Sequence, residues 1–294
     1  MTTTTTTHPT RKPPRPARRP RRSRVTVGTV LTVVWLTLTA LAVAAPVIYA
    51  VLGALHPTTA LTGGIGGLVG DGWTLENIRN AWDRSSITDQ LLNSVTVTVV
   101  QTAAQFVTAV LAAYALVFGR MRFTGVIAVA LVVPMMLPQE VNILGNFLTV
   151  RQLGLYDQVP AIFLPFLANA LTIFLFIQAF RRFPTEIHEA ARLEGVGPLR
   201  FLVQFVLPLN APVCMTALIT SAVAAWNGYM WPLLVTMSDE VRTIQPGLKS
   251  LSSENSSDTG MVLAGLLLAS LPMLVLVLLG QRHLSRGLTE GAVK

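Results

Sequence analysis

The chain has 294 residues, of which 52% are hydrophobic and only 12% charged, with a formal net charge of +8 and a mean hydropathy of +0.57. Soluble globular chains carry about 25% charged residues, so this much apolar surface excludes a single water-soluble core and points to a membrane protein. One cysteine, Cys214, excludes a disulfide framework and a cysteine-based metal site.

In residues 1–24 a run of six threonines is followed by a Pro/Arg stretch ending Arg18-Arg19-Pro20-Arg21-Arg22-Ser23-Arg24. No apolar periodicity is present, so the stretch reads as a disordered basic tail. It lacks aromatic residues for base stacking and runs straight into a hydrophobic segment. Contact with anionic headgroups therefore suits it better than nucleic acid. The first apolar segment, 25–55, exceeds the ~7–15 residues of a signal-peptide core and is expected to be a retained span.

A polar loop follows. Gly63-Gly64-Ile65-Gly66-Gly67 lacks the Gly-Lys-Ser/Thr of a phosphate-binding loop and reads as a turn. Further apolar segments at about 91–118, 123–147, 159–180, 212–235 and 260–280 each approach or exceed the ~20 residues that span a bilayer. Six spans put both termini on one side. That side receives 17 of the 22 Lys and Arg residues: eight in the tail, then Arg120, Arg122, Arg181, Arg182, Arg192, Arg200, Arg282, Arg286 and Lys294. The positive-inside rule makes it the cytoplasm.

Polar residues interrupt the spans. Ser94, Thr98, Gln101, Gln105 and Thr108 recur at steps of four, three, four and three, which is one helical face. It reads either as a wall of a translocation pathway or as hydrogen-bonding glue between helices. Pro134 and Pro138 break the third segment just before Gln139, Glu140, Asn142 and Asn146. At membrane depth Glu140 would mark a function by default, whereas toward the outer end of the span its carboxylate can simply reach interfacial water. Asn169 lies mid-segment in the fourth span. In the fifth, Trp226 beside Asn227 suits carbohydrate, whose C–H faces stack on rings while its hydroxyls need donors and acceptors. Trp231 reads as an interfacial belt residue. The candidate pathway set is therefore Gln101, Gln105, Gln139, Glu140, Asn142, Asn169, Trp226 and Asn227.

Between the fourth and fifth spans lies Glu189-Ala190-Ala191-Arg192-Leu193-Glu194-Gly195, followed by Phe205-Val206-Leu207-Pro208. Pro184 suits a first helical position, and Glu186 and Glu189 place negative charge near that helix's start. Gly195, Gly197 and Pro198 end it, and Pro198 opens a second helix. Ala190 and Ala191 let another surface approach closely. His188, within this loop, reads as a solvated surface histidine.

The spacing Glu-Ala-Ala, Gly, then Leu-Pro resembles the EAA loop of permease subunits of ABC importers, with Phe205 and Glu194 where that family often has Ile and Asp. Trp73-Thr74-Leu75-Glu76-Asn77-Ile78, Leu153-Gly154-Leu155, Phe180-Arg181-Arg182-Phe183-Pro184, Ala225-Trp226-Asn227 and the ending from Arg286 to Lys294 are similar to the carbohydrate-uptake branch, and within it to the maltose-type "G" permease. The resemblance implies an all-α membrane protein with the six-helix fold of a type I importer permease. Its domain would span 25–294, with a core at 88–282 and a coupling loop at about 181–211. Glu189, Ala190, Ala191, Glu194, Gly195, Leu207 and Pro208 would dock on a cytoplasmic ATPase. Implied partners are a second, unlike permease, two copies of the ATPase, an extracytoplasmic sugar-binding protein, the sugar and the bilayer. No nucleic acid is implied. ATP and magnesium would sit on the ATPase, leaving this chain without cofactor or catalysis. A permease for an amino acid or polyamine would keep the loop but lose the sugar-branch ending. An ATP-independent secondary transporter would show charged sites in mid-membrane.

Overall fold

The computed structural model describes residues 27–62, 72–84, 86–119, 122–136, 138–254 and 258–289. The basic tail, the glycine-rich turn at 63–67 and the ending at 290–294 lie outside the described residues, as do the side chains of 279–289. The chain divides into two units, Met1–Val47 and Ile48–Lys294. In the first unit the described part is the beginning of helix α1, Val27–Ala54. It is apolar all round, with Trp35 and Val43 more than 70% exposed, as a lipid-facing helix requires.

The larger unit is helical, with no strand among the described residues. The last turn of α1 leads to a short α2 (Thr58–Thr62), then α3 (Glu76–Arg84) and the long α4 (Ile87–Phe118). The third apolar segment is not one helix. α5 (Thr124–Val132) ends in two 3-10 turns, Val133–Met136 and Gln139–Asn142, before α6 (Ile143–Gln152). Pro134 and Pro138 remove two N–H donors there, as the sequence predicts.

The fourth segment is also broken. α7 (Val159–Phe163) and a 3-10 turn lead to α8 (Ala170–Phe180), with a 41° bend between the two halves. Then come α9 (Thr185–Leu193) and α10 (Pro198–Leu209), which turns by 85° into α11 (Ala211–Trp226). α12 (Met230–Val235), α13 (Ile244–Glu254) and α14 (Thr259–Thr289) complete the chain. The fifth predicted segment, 212–235, thus divides at Asn227, Gly228 and Tyr229.

Among the described residues three helices are long and apolar enough to cross a membrane, or up to five if each bent pair is one span. α4 is the axis of the larger unit. Its 32 residues rise about 48 Å, more than the ~30 Å hydrocarbon core. Packed cores lie along it. Val97 belongs to a cluster with Val150, Ala161, Ile162, Trp231 and Val235. Ala109, Val110 and Ala113 join Ile173, Phe176, Phe180, Phe201 and Val206 in the largest.

Candidate functional site

The loop between α8 and α11 folds as two helices around a glycine. Pro184 stands one position earlier than expected, as the extended residue just before α9 (φ −60°, ψ 124°). At the other end Gly195 adopts φ +74°, a left-handed conformation that costs an L side chain about 1–2 kcal/mol. Val196 N–H donates to Ala191 C=O at 2.9 Å and Gly195 N–H to Arg192 C=O at 3.1 Å. These two bonds close the helix as a Schellman motif, which satisfies carbonyls that a helix end otherwise orphans. Pro198 then opens α10, where its missing N–H costs nothing.

α10 is not uniform. A π-helical turn occupies Leu202–Val206, directly before Leu207 and Pro208. Leu207 N–H reaches back five residues to Leu202 C=O, which accommodates a proline that cannot donate at the next position. Asn210 stands at the 85° corner and its amide donates to Val206 C=O at 2.8 Å.

An aromatic cluster holds both helices against the membrane-spanning segments. The Phe118 ring, at the end of α4, meets Phe183 at 5.9 Å, Phe201 at 5.7 Å, Phe180 at 6.1 Å and His188 at 5.2 Å. Phe201 also meets Phe183 at 5.7 Å and stacks on Phe205 at 5.8 Å. Pairs of this kind contribute about 0.5–1.5 kcal/mol each beyond their area burial. His188 is not the solvated residue expected from the sequence. Its ring lies 4.8 Å from Phe201, with Nδ1 buried and lacking a hydrogen-bond partner.

The expected docking residues divide by exposure. Glu189, Ala190, Glu194, Gly195 and Pro208 are exposed, Leu207 is half-buried and Ala191 is buried. Only one alanine of the pair therefore faces outward. A Cβ added at Gly195 would meet nothing within 4 Å, so the chain itself leaves this spot open. Sequence reasoning missed Leu193 and Leu199, 90% and 69% exposed. They flank Gly195 beside exposed Arg192 and Arg200. An apolar residue at the last position of a charged helix was the available signal. Covering one such leucine is favourable by about 1.5–3 kcal/mol.

The pathway candidates are not brought together as a set. Gln105 is buried and donates to Phe166 C=O at 2.8 Å, and Thr108 donates to Leu167 C=O at 3.1 Å. Both carbonyls lie at the 41° bend, where the helix ladder fails, so this part of the polar face satisfies a broken helix. Ser94 Oγ likewise accepts from Ile244 N–H at 2.7 Å. Between them Thr98 and Thr102, one turn apart, have buried hydroxyls with no partner. Gln101 is half-buried. Asn169 caps α8, its Oδ1 accepting from Thr172 N–H at 3.1 Å. Trp226 is 6% exposed and packs with Ile87, Ile244 and Ala269, so its faces are closed to a sugar ring in this conformation. Asn227 is exposed and donates to Val223 C=O. Asn142 is exposed. The side chains of Gln139 and Glu140 lie outside the described residues. Trp231 is no belt residue: it is 7% exposed, and its indole N–H donates to Ala161 C=O at 3.1 Å.

Comparison with known proteins agrees with this architecture. Residues 105–290 match the family described as binding-protein-dependent transport system inner membrane component. The chain is 34% identical over 202 residues to the sn-glycerol-3-phosphate transport system permease protein UgpE of Pectobacterium atrosepticum, covering 68% of this chain and 72% of that one. It is 32% identical over 224 residues to UgpE of Shigella flexneri, covering 74% and 80%. Its fold superposes on a chain from the crystal structure of a bacterial ABC transporter involved in the import of the acidic polysaccharide alginate. The TM-score is 0.79 at 23% sequence identity, covering 90% of this chain and 99% of that chain. The chain belongs to the binding-protein-dependent transport system inner membrane component family.

Proposed function

We propose that this permease forms half of the pathway of an ATP-driven importer for a carbohydrate or a closely related polyol, and that residues 181–211 couple it to a separate ATPase. The relatives named for glycerol-3-phosphate and alginate transport support a polyhydroxylated solute. In this reading the chain crosses the membrane six times with both termini in the cytoplasm, the broken segments each counting as one span. A second, unlike permease completes the pathway, two ATPase copies hold ATP and magnesium, and an extracytoplasmic binding protein delivers the solute.

The observation that carries the coupling role is an outward-presented tip. Leu193, Gly195 and Leu199 are exposed on a helix pair whose other side is fixed by the Phe118–Phe201 cluster. An ATPase that closes on ATP would move this pair as one body, and α4 and α8 would follow because their ends share that cluster. The two states must differ in their contacts for such coupling to operate.

Gentle-detergent purification of the tagged chain from its native membrane tests the reading. Recovery of an ABC ATPase, a second permease and a binding protein is expected, and Leu193→Glu should release the ATPase while keeping the second permease. A chain that is recovered alone and moves solute on an ion gradient without ATP would sink the proposal.

A further inference from the structure

Helix α3 presents three different faces. At 100° per residue, Asn77 and Ala81 fall on one side and are 5% and 0% exposed. Glu76, Arg79 and Asp83 fall opposite and are exposed, with Arg79 paired to Asp83 at 3.3 Å. Trp82 lies on the flank between these faces and is 48% exposed. Just ahead of the helix, Trp73 and Leu75 are also exposed. The Trp73 ring meets His56 at a tilt of 49°, with centroids 4.8 Å apart.

The contacts of α3 fix its height. The Asn77 amide donates to the carbonyls of Gly53, Ala54 and His56, at the end of α1. A Cβ added at Gly260 would lie 2.6 Å from Asn77 Nδ2, so α3 also touches the first turn of α14. That is where the candidate span Thr259–Leu278 begins, with Leu266, Leu271 and Leu274 exposed along it. α3 therefore sits level with the ends of two apolar helices, at the depth where hydrocarbon gives way to water. Indole rings favour that layer, because their bodies are apolar and their N–H groups need a polar partner.

We propose that α3 lies in the headgroup layer of the bilayer, on the side away from residues 181–211, with a phospholipid surface as its partner. Trp73, Leu75 and Trp82 enter the lipid, while Glu76, Arg79 and Asp83 face water. The helix thereby sets the height at which α4 and α14 cross. Continuity with the apolar α14 and the sorting of charge from indole around one helix favour lipid over a protein partner. The inference rests on the membrane reading but not on the coupling role.

The test uses the full chain with its partners in phospholipid nanodiscs, labelled with fluorotryptophan. Three resonances are assigned from Trp35→Phe, Trp73→Phe and Trp82→Phe. A lipid carrying a nitroxide near its headgroup should broaden the Trp73 and Trp82 resonances beyond detection, while a water-soluble gadolinium chelate leaves them visible. Loss to the chelate without effect of the lipid probe overturns the proposal. Shielding from both probes overturns it too, and assigns the surface to another protein. Trp35, exposed in the first apolar segment, separates the two readings. If a nitroxide on the acyl tail broadens Trp35 but no lipid probe reaches Trp73 and Trp82, only the proposal for α3 fails. If Trp35 is untouched as well, the membrane reading falls with it.

Discussion

The two ends of α4 are held by different chemistry. At its C-terminal end the loop at 181–211 packs through rings, with Phe118, Phe180, Phe183, Phe201 and Phe205 in one cluster. At its N-terminal end the neighbouring loops are tied by hydrogen bonds. Asn93 donates to the carbonyls of Glu240 and Arg242, and Ser94 accepts from Ile244 N–H. Asp157 receives Met237 N–H, Ser238 N–H and the Ser238 hydroxyl. About 37 Å of helix separates Asn93 from Phe118. Hydrogen bonds are directional and fix a loop in one arrangement, whereas a ring cluster joins several helix ends through packed apolar area, so that they move together. The end that the proposal assigns to moving with an ATPase is the one built from rings.

Removing a ring should have the largest effect. Phe201 is 2% exposed and meets Phe118, Phe183, His188 and Phe205. Phe201→Ala should cost about 3–5 kcal/mol, the range for emptying a packed aromatic site. Thermal unfolding in detergent should show it, with loss of ATPase from the purified complex. An unchanged midpoint would mean that the cluster does not hold the loop.

At the opposite end, Asn77→Ala removes the donor shared by three carbonyls. Leaving such groups buried and unsatisfied costs about 1–3 kcal/mol. The loss should be local: exchange of amide hydrogens should rise at 53–61 and 74–81 and stay unchanged at 185–205. A rise in both regions would show that the two ends are not independent.

What the sequence makes legible follows the same division. Gly195 and Pro198 declare the helix pair because backbone conformation is a local property. Side-chain direction is not local in that sense. Trp226 and Asn227 are neighbours in sequence, yet a helix turns 100° between them, so one is buried and the other exposed. Gln105 serves Phe166, 61 residues away. Periodicity identified its face but not what stands opposite. His188 misled for the same reason: its helix carries Glu186, Glu189 and Arg192, while the rings that meet it come from α4 and α10.

A smaller effect separates the ends by pH. The Ser238 hydroxyl, then the Ser238 and Met237 N–H groups, hold the Asp157 carboxyl below its ordinary range. A depressed carboxylate contributes stability that is fully present above its unfolded value and is lost as pH falls through the folded one. The unfolding midpoint of the wild type should therefore decline on acidification below the usual carboxylate range. Asp157→Asn should be less stable near neutrality and should converge on the wild type in acid. Parallel curves for the two proteins would show that the Asp157 carboxylate does not hold Met237 and Ser238.

The smallest effect on the fold, and the most informative about the ring-built end, belongs to Gly195. An added side chain meets no atom of this chain within 4 Å, so Gly195→Ala carries only the cost of φ +74°, about 1–2 kcal/mol. The crowding of a tight turn, the obvious reason for a glycine here, is absent. Gly195→Asp should fold nearly as well as Gly195→Ala, because aspartate tolerates the left-handed region better than most residues. If both variants keep their unfolding midpoint within a few degrees yet lose solute-stimulated ATPase activity, the open space over Gly195 is filled by the partner. If both transport normally, the tip at Leu193 and Leu199 is not the coupling surface, and the exposed leucines must be covered by something else.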